Sequence, residues 1–459
     1  MSVPMNSNTP KLTYKRILLF WLPLESTWLM MALESSLLSA IIARMAAPKF
    51  NLAAYGVAFT FIMVVEAPIL MIISAATALV KNRDSFIKMR RFTFALIGII
   101  TFVLGIILLP GVFSFLAQRL IGLPENVAGL TYQAALISIP VPWAVGYRRF
   151  YQGVLIRHNR TRYVALGTAI RLTGLTLIGL SLYQFSILDG AAVGAITLLV
   201  AVVLEAVSSR FMAAPIVKVL LGEADHKASP KDTLTYRAIF KFYFPLALTS
   251  LLALGIQPAV TFFVGKSRMA IESLAVLPVI GGLVFIFMSC GLSFHETSIA
   301  LMGNKNRNYK ELRNFALGLS GVTVGLLACI GFTPLSYFWF RMVSGLSVEL
   351  TQFALSPLKL LAVMPGIWML LTFQRSVLVN ARNTGPITWA TGLELLIVIP
   401  TLFIAIHYYD AVGAVAAAVA LILGRIAGTI YIFRSFLKIL KASREPMTRL
   451  DSGCSPGSN

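Results

Sequence analysis

The sequence predicts an all-α integral membrane protein: twelve transmembrane helices arranged as two parallel six-helix repeats, with both termini cytoplasmic. Three observations lead there. Of 459 residues, 58% are hydrophobic and only 12% charged, with a mean hydropathy of +0.82, which lies outside the range of soluble globular domains. Apolar stretches recur between short polar breaks, each long enough for the about 20 residues that a helix needs to cross roughly 30 Å of hydrocarbon. The first half also recurs in the second with a shift of 222 residues. Phe20-Trp21-Leu22-Pro23-Leu24 returns as Phe242-Tyr243-Phe244-Pro245-Leu246, Arg44 falls on Lys266, Leu52-Ala53 on Leu274-Ala275, and Ala78-Leu79 on Ala300-Leu301. The alternating ten-residue pattern of a membrane β-barrel is absent.

In order, the predicted spans are 17-43, 52-80, 92-117, 130-156, 163-183 and 189-217 in the first repeat, then 239-265, 271-302, 314-340, 356-380, 386-407 and 411-437 in the second. The polar stretch up to Lys15 carries no cleavage site, so the first span is expected to stay as a signal-anchor. The expected units are an N-terminal lobe (1-222), a cytoplasmic linker (223-238) with both signs of charge and Pro230, a C-terminal lobe (239-445) and a flexible cytoplasmic tail (446-459). Prolines at Pro68, Pro140, Pro142, Pro258, Pro278 and Pro365 fall inside spans and should bend them. The small-residue runs Gly190 to Ala195 and Ala411 to Ala414 follow Asp189 and Asp410 and suit close helix packing.

Basic residues sort onto alternate breaks: Lys81, Arg83, Lys88, Arg90 and Arg91; Arg157, Arg160 and Arg162; Lys227, Lys231, Arg237 and Lys241; Lys305, Arg307, Lys310 and Arg313; and Arg434, Lys438, Lys441 and Arg444. The other breaks hold only Arg44, Lys49, Arg119, Lys266, Arg268 and Arg341. By the positive-inside rule the first set is cytoplasmic. With six spans per repeat, both copies cross in one sense, and a pseudo-twofold axis should lie along the membrane normal. The net charge of +21 therefore reads as topology and contact with anionic membrane lipids; no soluble domain exists to carry a nucleic-acid site. Cys290, Cys329 and Cys454 are too scattered for a metal cluster or a disulfide framework. His295-Glu296-Thr297-Ser298-Ile299 lacks the second histidine of a zinc protease motif. We therefore expect no enzyme, no metal and no cofactor, and a monomeric multi-pass protein of the plasma (inner) membrane. A duplicated apolar bundle of this kind makes two lobes around a shared cavity, the architecture of a transporter rather than of a fixed channel.

The 6+6 duplication, with an apolar-Pro-Leu segment opening each half (Pro23-Leu24, Pro245-Leu246), resembles the MOP superfamily of MATE exporters and flippases. Within it the chain is most similar to the progressive ankylosis protein family, through Phe244-Pro245-Leu246-Ala247-Leu248, Pro258-Ala259-Val260, Phe262-Phe263-Val264 and the turn Gly153-Val154-Leu155-Ile156-Arg157-His158. The resemblance implies V-shaped lobes that expose a central cavity to each side in turn, and export of a small organic ion in antiport with H+ or Na+. MATE members export organic cations, and the ankylosis family is associated with organic anions; the same superfamily also contains flippases for lipid-linked sugars, which is the alternative function. Some MATE proteins use an acid on the first span near a proline, and others use acids on the seventh and later spans. Here the first span has Glu25 and Glu34 beside Pro23, whereas the seventh has Gln257 and no acid.

Charged side chains at bilayer depth cost several kcal/mol and normally face a cavity or a partner. From the ~1.5 Å helical rise, Glu25, Arg148, Arg171 and Glu394 come out roughly 12 Å from the inner end, with Arg375, Glu296 and Glu205 near that layer. Glu34 and Glu66 lie deeper, and we take them, with Glu25, as ion-coupling candidates; a bond from Glu34 to Ser35, Ser36 or backbone is the competing reading. At about 100° per residue, Glu25 and Glu34 sit on opposite faces of the first helix and should do different work. Aligning Val154-Leu155-Ile156 with Val377-Leu378-Val379 sets Arg171 against Glu394. These residues then form either a closure contact between lobes or pairs within each lobe, such as Arg171 with Glu205. Arg148, Arg149 and Arg375 either offer guanidinium groups to an anionic substrate or, for the first two, snorkel toward headgroups.

Overall fold

The computed structural model describes residues 12–444, apart from 159, 186, 223–233, 304–305, 382 and 384. Most of the expected linker, including Lys227 and Lys231, the tail 446-459 with Cys454, and Lys305 lie outside the described residues. The named elements are helices: α1 (Tyr14–Ala43), α2 (Pro48–Leu79), α3 (Arg83–Ile107), α4 (Glu125–Ile137), α5 (Val141–Arg157), α6 (Thr161–Phe185), α7 (Gly190–Gly222), α8 (Tyr236–Gly265), α9 (Ala270–Leu301), α10 (Tyr309–Phe332), α11 (Val348–Asn380), α12 (Gly385–His407) and α13 (Gly413–Arg444). Eleven of these are long and apolar enough to cross a membrane.

The exception is the expected fourth span. It is divided into α4, of 13 residues, and α5, of 17. Neither half reaches membrane-spanning length by itself. The break falls at Pro140, which lacks an N–H and caps α5, with Pro142 in its first turn. α11 is interrupted at the equivalent point, between Leu361 and Met364, just before Pro365. Pro68 lies in a short 3-10 turn within α2, and α8 is interrupted at Gly255, ahead of Pro258. α3 starts nine residues before the expected 92. Asn82 and Ser85 close a reciprocal capping box there, and Lys88 pairs with Asp84 at 2.8 Å, which holds a basic first turn in helical form.

Several backbone features recur at the spacing of the sequence repeat. Ala47 and Met269, 222 residues apart, are both left-handed, with φ of 46° and 54°. Glycine occupies the left-handed position after each π-helical segment, Phe115–Ile121 and Trp339–Val343, at Gly122 and Gly345. Near the start of α7, Ala191 N–H donates to Asn51 Oδ1 of α2 (2.9 Å); near the start of α13, Ala414 N–H donates to Ser273 Oγ of α9 (3.0 Å). In each case a side chain satisfies an orphan helix-end donor.

α1 belongs to both halves. Its first turns, through Ile17 and Trp21, enter an apolar cluster with Phe294, Leu312, Met369 and Phe373 of the second half. Its last turns, through Leu38 and Ile42, enter the main core with Leu52 and Ala195. Along its length it packs on α9. Near that contact a Cβ at Gly282 would meet Ser36 Oγ at 2.9 Å and Ser36 N at 3.3 Å, so a larger residue would have to push the two helices or the serine aside.

Candidate functional site

Three groups of polar side chains lie inside the helical bundle, and α1 links them. The first is built on Glu205 of α7, which is fully buried. Arg148 of α5 donates to its Oε2, Arg171 of α6 approaches the same oxygen at 3.3 Å, and Gln152 Nε2 donates to Oε1 at 3.0 Å. The other Nη of Arg171 reaches Glu34 Oε2 of α1 at 2.6 Å. Gly167 of α6 faces this acid, the position of a Cβ there being 3.5 Å from Glu205 Cγ. Four helices thus place two carboxylates and two guanidiniums in one chain of ion pairs, the arrangement that buried charge requires.

Arg149 and Glu66 adjoin this group without sharing its bonds. Glu66 is 5% exposed and its Oε2 has no hydrogen-bond partner; Arg149 Nε has none either. Arg148 is buried against Glu205 rather than extended toward the helix end.

The second group lies in the other half. Arg425 of α13 donates to Glu394 Oε2 of α12 at 2.9 Å. Its guanidinium lies 4.2 Å from the ring centroid of Trp368 on α11, and that of Arg375 lies 5.9 Å from the same ring. Arg375 makes one long bond to Thr391 Oγ1, 3.4 Å. Glu394 Oε1, Arg375 Nε and Trp368 Nε1 are buried without a partner. Arg171 and Glu394 therefore pair each within its own half in this conformation.

The third group crosses between halves. Glu25 of α1 is buried and accepts from Ser289 Oγ (2.8 Å) and Ser293 Oγ (2.5 Å) of α9, while Trp21 Nε1 donates to Ser293 Oγ (2.7 Å). Trp28 Nε1 donates to Glu296 at 3.3 Å. Glu25 and Glu34 do lie on opposite faces of α1: one is bound to the second half, the other to the first. Gln257 is exposed on α8 and joins none of the three groups.

At the end of the bundle poor in basic residues, the halves are clasped. Lys49 of α2 meets Glu272 of α9 at 2.6 Å. Arg44 donates to the carbonyls of Met342 and of Val343, the latter at 2.8 Å. Behind the clasp, Thr60 and Thr261 hydroxyls are 3.4 Å apart, beside an apolar cavity of about 210 Å³ bounded by Val57, Phe61, Val64 and Pro258.

No protein-family model and no curated protein sequence matches the chain. Solved structures do match over nearly its whole length. An inward-facing multidrug resistance MATE family transporter of the MOP superfamily superposes with a TM-score of 0.72 at 14% identity, covering 92% of this chain and 98% of the other. This is the fold of the MOP-superfamily transporters. The Lipid II flippase MurJ, in an inward closed conformation, gives 0.66 at 14% identity over 93% and 90% of the two chains. An outward-facing MATE family transporter gives 0.62 at 12% identity over 95% and 100%.

Sequence reasoning named most of the first group and missed Arg425 and Trp368 in the second. Arg425 is a lone cation inside the last apolar stretch, thirteen positions into a helix that starts at Gly413, and that was the available signal. Trp368 carried none, because an indole in an apolar helix is ordinary core.

Proposed function

We propose that this chain is an alternating-access transporter of the plasma (inner) membrane. Its two six-span halves rock about α1 and α9 to move a small organic ion, in exchange for H+ or Na+. The observation that carries this reading is the set of intramembrane ion pairs built on Glu205 and Glu394. Buried charge of this density is costly in a bundle that only has to stand in lipid, and is expected where a water-filled cleft opens. The MOP-type fold, the paired helix breaks at Pro140 and Val363 and the repeated backbone features support two equivalent halves. The basic breaks, grouped at one end, favour cytoplasmic termini.

Within this scheme Glu66 is the stronger coupling residue. Glu34 is already paired with Arg171, whereas Glu66 is buried with an oxygen that lacks a partner, so proton uptake there breaks no ion pair. The MATE-like architecture brings an organic cation to mind as cargo, and the resemblance to the ankylosis family an organic anion. Proteoliposomes with an imposed proton gradient, offered organic cations, organic anions and a labelled lipid carrier in turn, test the reading. Movement of either class of soluble ion supports it. Movement of the lipid carrier alone replaces it with a flippase, and no movement of any cargo under proton or sodium gradients removes it.

A further inference from the structure

The geometry points to an anion-binding site in the second half, formed by Arg375 and Trp368 beside the Arg425–Glu394 pair, whose ligand is a carboxylate or phosphate group. It rests on the transport reading only for the purpose of the site, not for its existence. Three features converge on it. The first is charge: the first-half group sets Arg148, Arg149 and Arg171 against Glu34, Glu66 and Glu205, which is balanced, whereas the second sets Arg375 and Arg425 against Glu394 alone, which leaves one cation in excess. The acids of the third group, Glu25 and Glu296, are bonded to Ser289, Ser293 and Trp28, and among the described residues no ion pair joins either of them to Arg375.

The second feature is the kind of group left unmet. Arg375 has only its long bond to Thr391, with Nε buried and unpartnered, and Trp368 Nε1 is likewise buried with no acceptor. Arginine and indole nitrogens only donate. A ligand that meets these two donors must therefore bring acceptor oxygens, the unpartnered Glu394 Oε1 beside them being left to a donor, and a planar guanidinium takes carboxylate or phosphate in bidentate fashion. An organic cation would add to the excess instead.

The third feature is the contrast with the first half. At the offset of 223 residues that aligns Val154 with Val377, Arg375 replaces Gln152, Trp368 replaces Val145 and Arg425 replaces Val202. Gln152 is consumed by Glu205 at 3.0 Å, whereas Arg375 has no such carboxylate. The two halves share a frame and both leave arginine Nε groups unpartnered, but Arg375, unlike Arg148 and Arg171, makes no ion pair among the described residues.

The test uses the full chain in nanodiscs, with binding followed by calorimetry and thermal stabilisation. Phenyl phosphate and benzoate are the probes, and tetraethylammonium is the opposite-charge control. Both anions should bind and the cation should not. Arg375→Gln should weaken them on the order of tenfold or more, the scale of one charged hydrogen bond. It leaves the Glu394–Arg425 pair intact, so the fold is retained. Trp368→Phe keeps the ring face and removes the donor, and should weaken them by about severalfold. If the ligand is a lipid headgroup, phosphatidylglycerol discs should compete the probes away and phosphatidylcholine discs should restore them, which also supports the site. Failure of both anions in both discs, or wild-type affinity in both variants, overturns it. Intact binding without any transport in proteoliposomes would leave the site standing and remove only the transport reading.

Discussion

Glu205 is the residue whose loss the structure makes most costly. It is fully buried and is the common acceptor for Arg148, Arg171 and Gln152. Glu205→Gln keeps the shape but removes the charge. Arg171 then still has Glu34 at 2.6 Å, but Arg148 loses its carboxylate while remaining buried. Removing one partner of a buried pair costs about 3–5 kcal/mol, because the other charge is stranded. The Lys49–Glu272 pair provides the contrast, since its side chains keep 34% and 19% of their exposure; Glu272→Gln should cost about 1 kcal/mol or less. Chemical unfolding of the purified variants in matched nanodiscs gives the comparison. The double variant Arg148→Met, Glu205→Leu adds a control, because replacing a buried pair by apolar groups of similar volume is often neutral. It should recover at least about 2 kcal/mol relative to the sum of the single changes, as contacting residues couple on that scale. Equal stability of Glu205→Gln and Glu272→Gln, or strict additivity in the double variant, would refute the assignment of Glu205 as the hub.

Glu66→Gln should abolish proton-driven uptake while leaving cargo exchange across the membrane, whereas Glu34→Gln should reduce both by releasing Arg171; proteoliposome flux with and without a proton gradient separates the two. Paired cysteines at Thr60 and Thr261, whose hydroxyls are 3.4 Å apart, should cross-link under oxidation and stop transport until reduced, and full transport by the cross-linked protein would show that this end does not open. Ser273→Ala should cost about 1 kcal/mol of unfolding free energy, the usual scale for a lost helix-end acceptor, and Asn51→Ala more, because its amide also donates to the carbonyls of Ala46 and Ala47.

Much of the helical layout could be read from the residues because lipid leaves few options: apolar length locates the helices before any packing is considered, and the 222-residue shift recurs in the left-handed Ala47 and Met269. The fourth span was harder, since the apolar run continues through Ile139, Pro140 and Val141 and hydropathy does not register a missing N–H. Pro140 and Pro142 were expected to bend a helix; in the structure they separate two. Depth counted along the helices grouped Arg148, Arg171 and Glu205, which the structure joins, and set Glu34 apart from them, although it pairs with Arg171. Partner choice was not legible, because it depends on which faces of five helices turn toward one another. Arg171 had Glu205 and Glu394 as options at similar depth, and the structure gives it Glu205 together with Glu34, a residue on a helix well over a hundred positions earlier.

The position of α1 follows from two carboxylates nine residues apart. Glu25 ties the helix to Ser289 and Ser293 of the second half, and Glu34 ties it to Arg171 of the first. A rigid rotation of one half against the other cannot keep both ties, because the two faces of one straight helix would have to follow different bodies. The tie to Arg171 is an ion pair largely removed from solvent, with side chains 7% and 12% exposed; the tie at Glu25 is made by neutral hydroxyls that can also bond their own backbone, as Ser289 does to Ile286 and Ser293 to Cys290. Breaking the Glu25 contact strands no cation, whereas parting Glu34 from Arg171 leaves a buried guanidinium without one of its carboxylates, so the Glu25 contact is the one expected to part when the halves move. In the proposed cycle α1 is then expected to travel with the first half, with Glu25 exposed to the cleft as it opens. Ser289→Ala with Ser293→Ala should accordingly raise the labelling rate of the native Cys290, whose thiol lies 3.4 Å from Glu25 Oε1, measured with a membrane-impermeant thiol reagent in a background without Cys329 and Cys454. An unchanged rate would mean that the contact does not separate in the transport cycle.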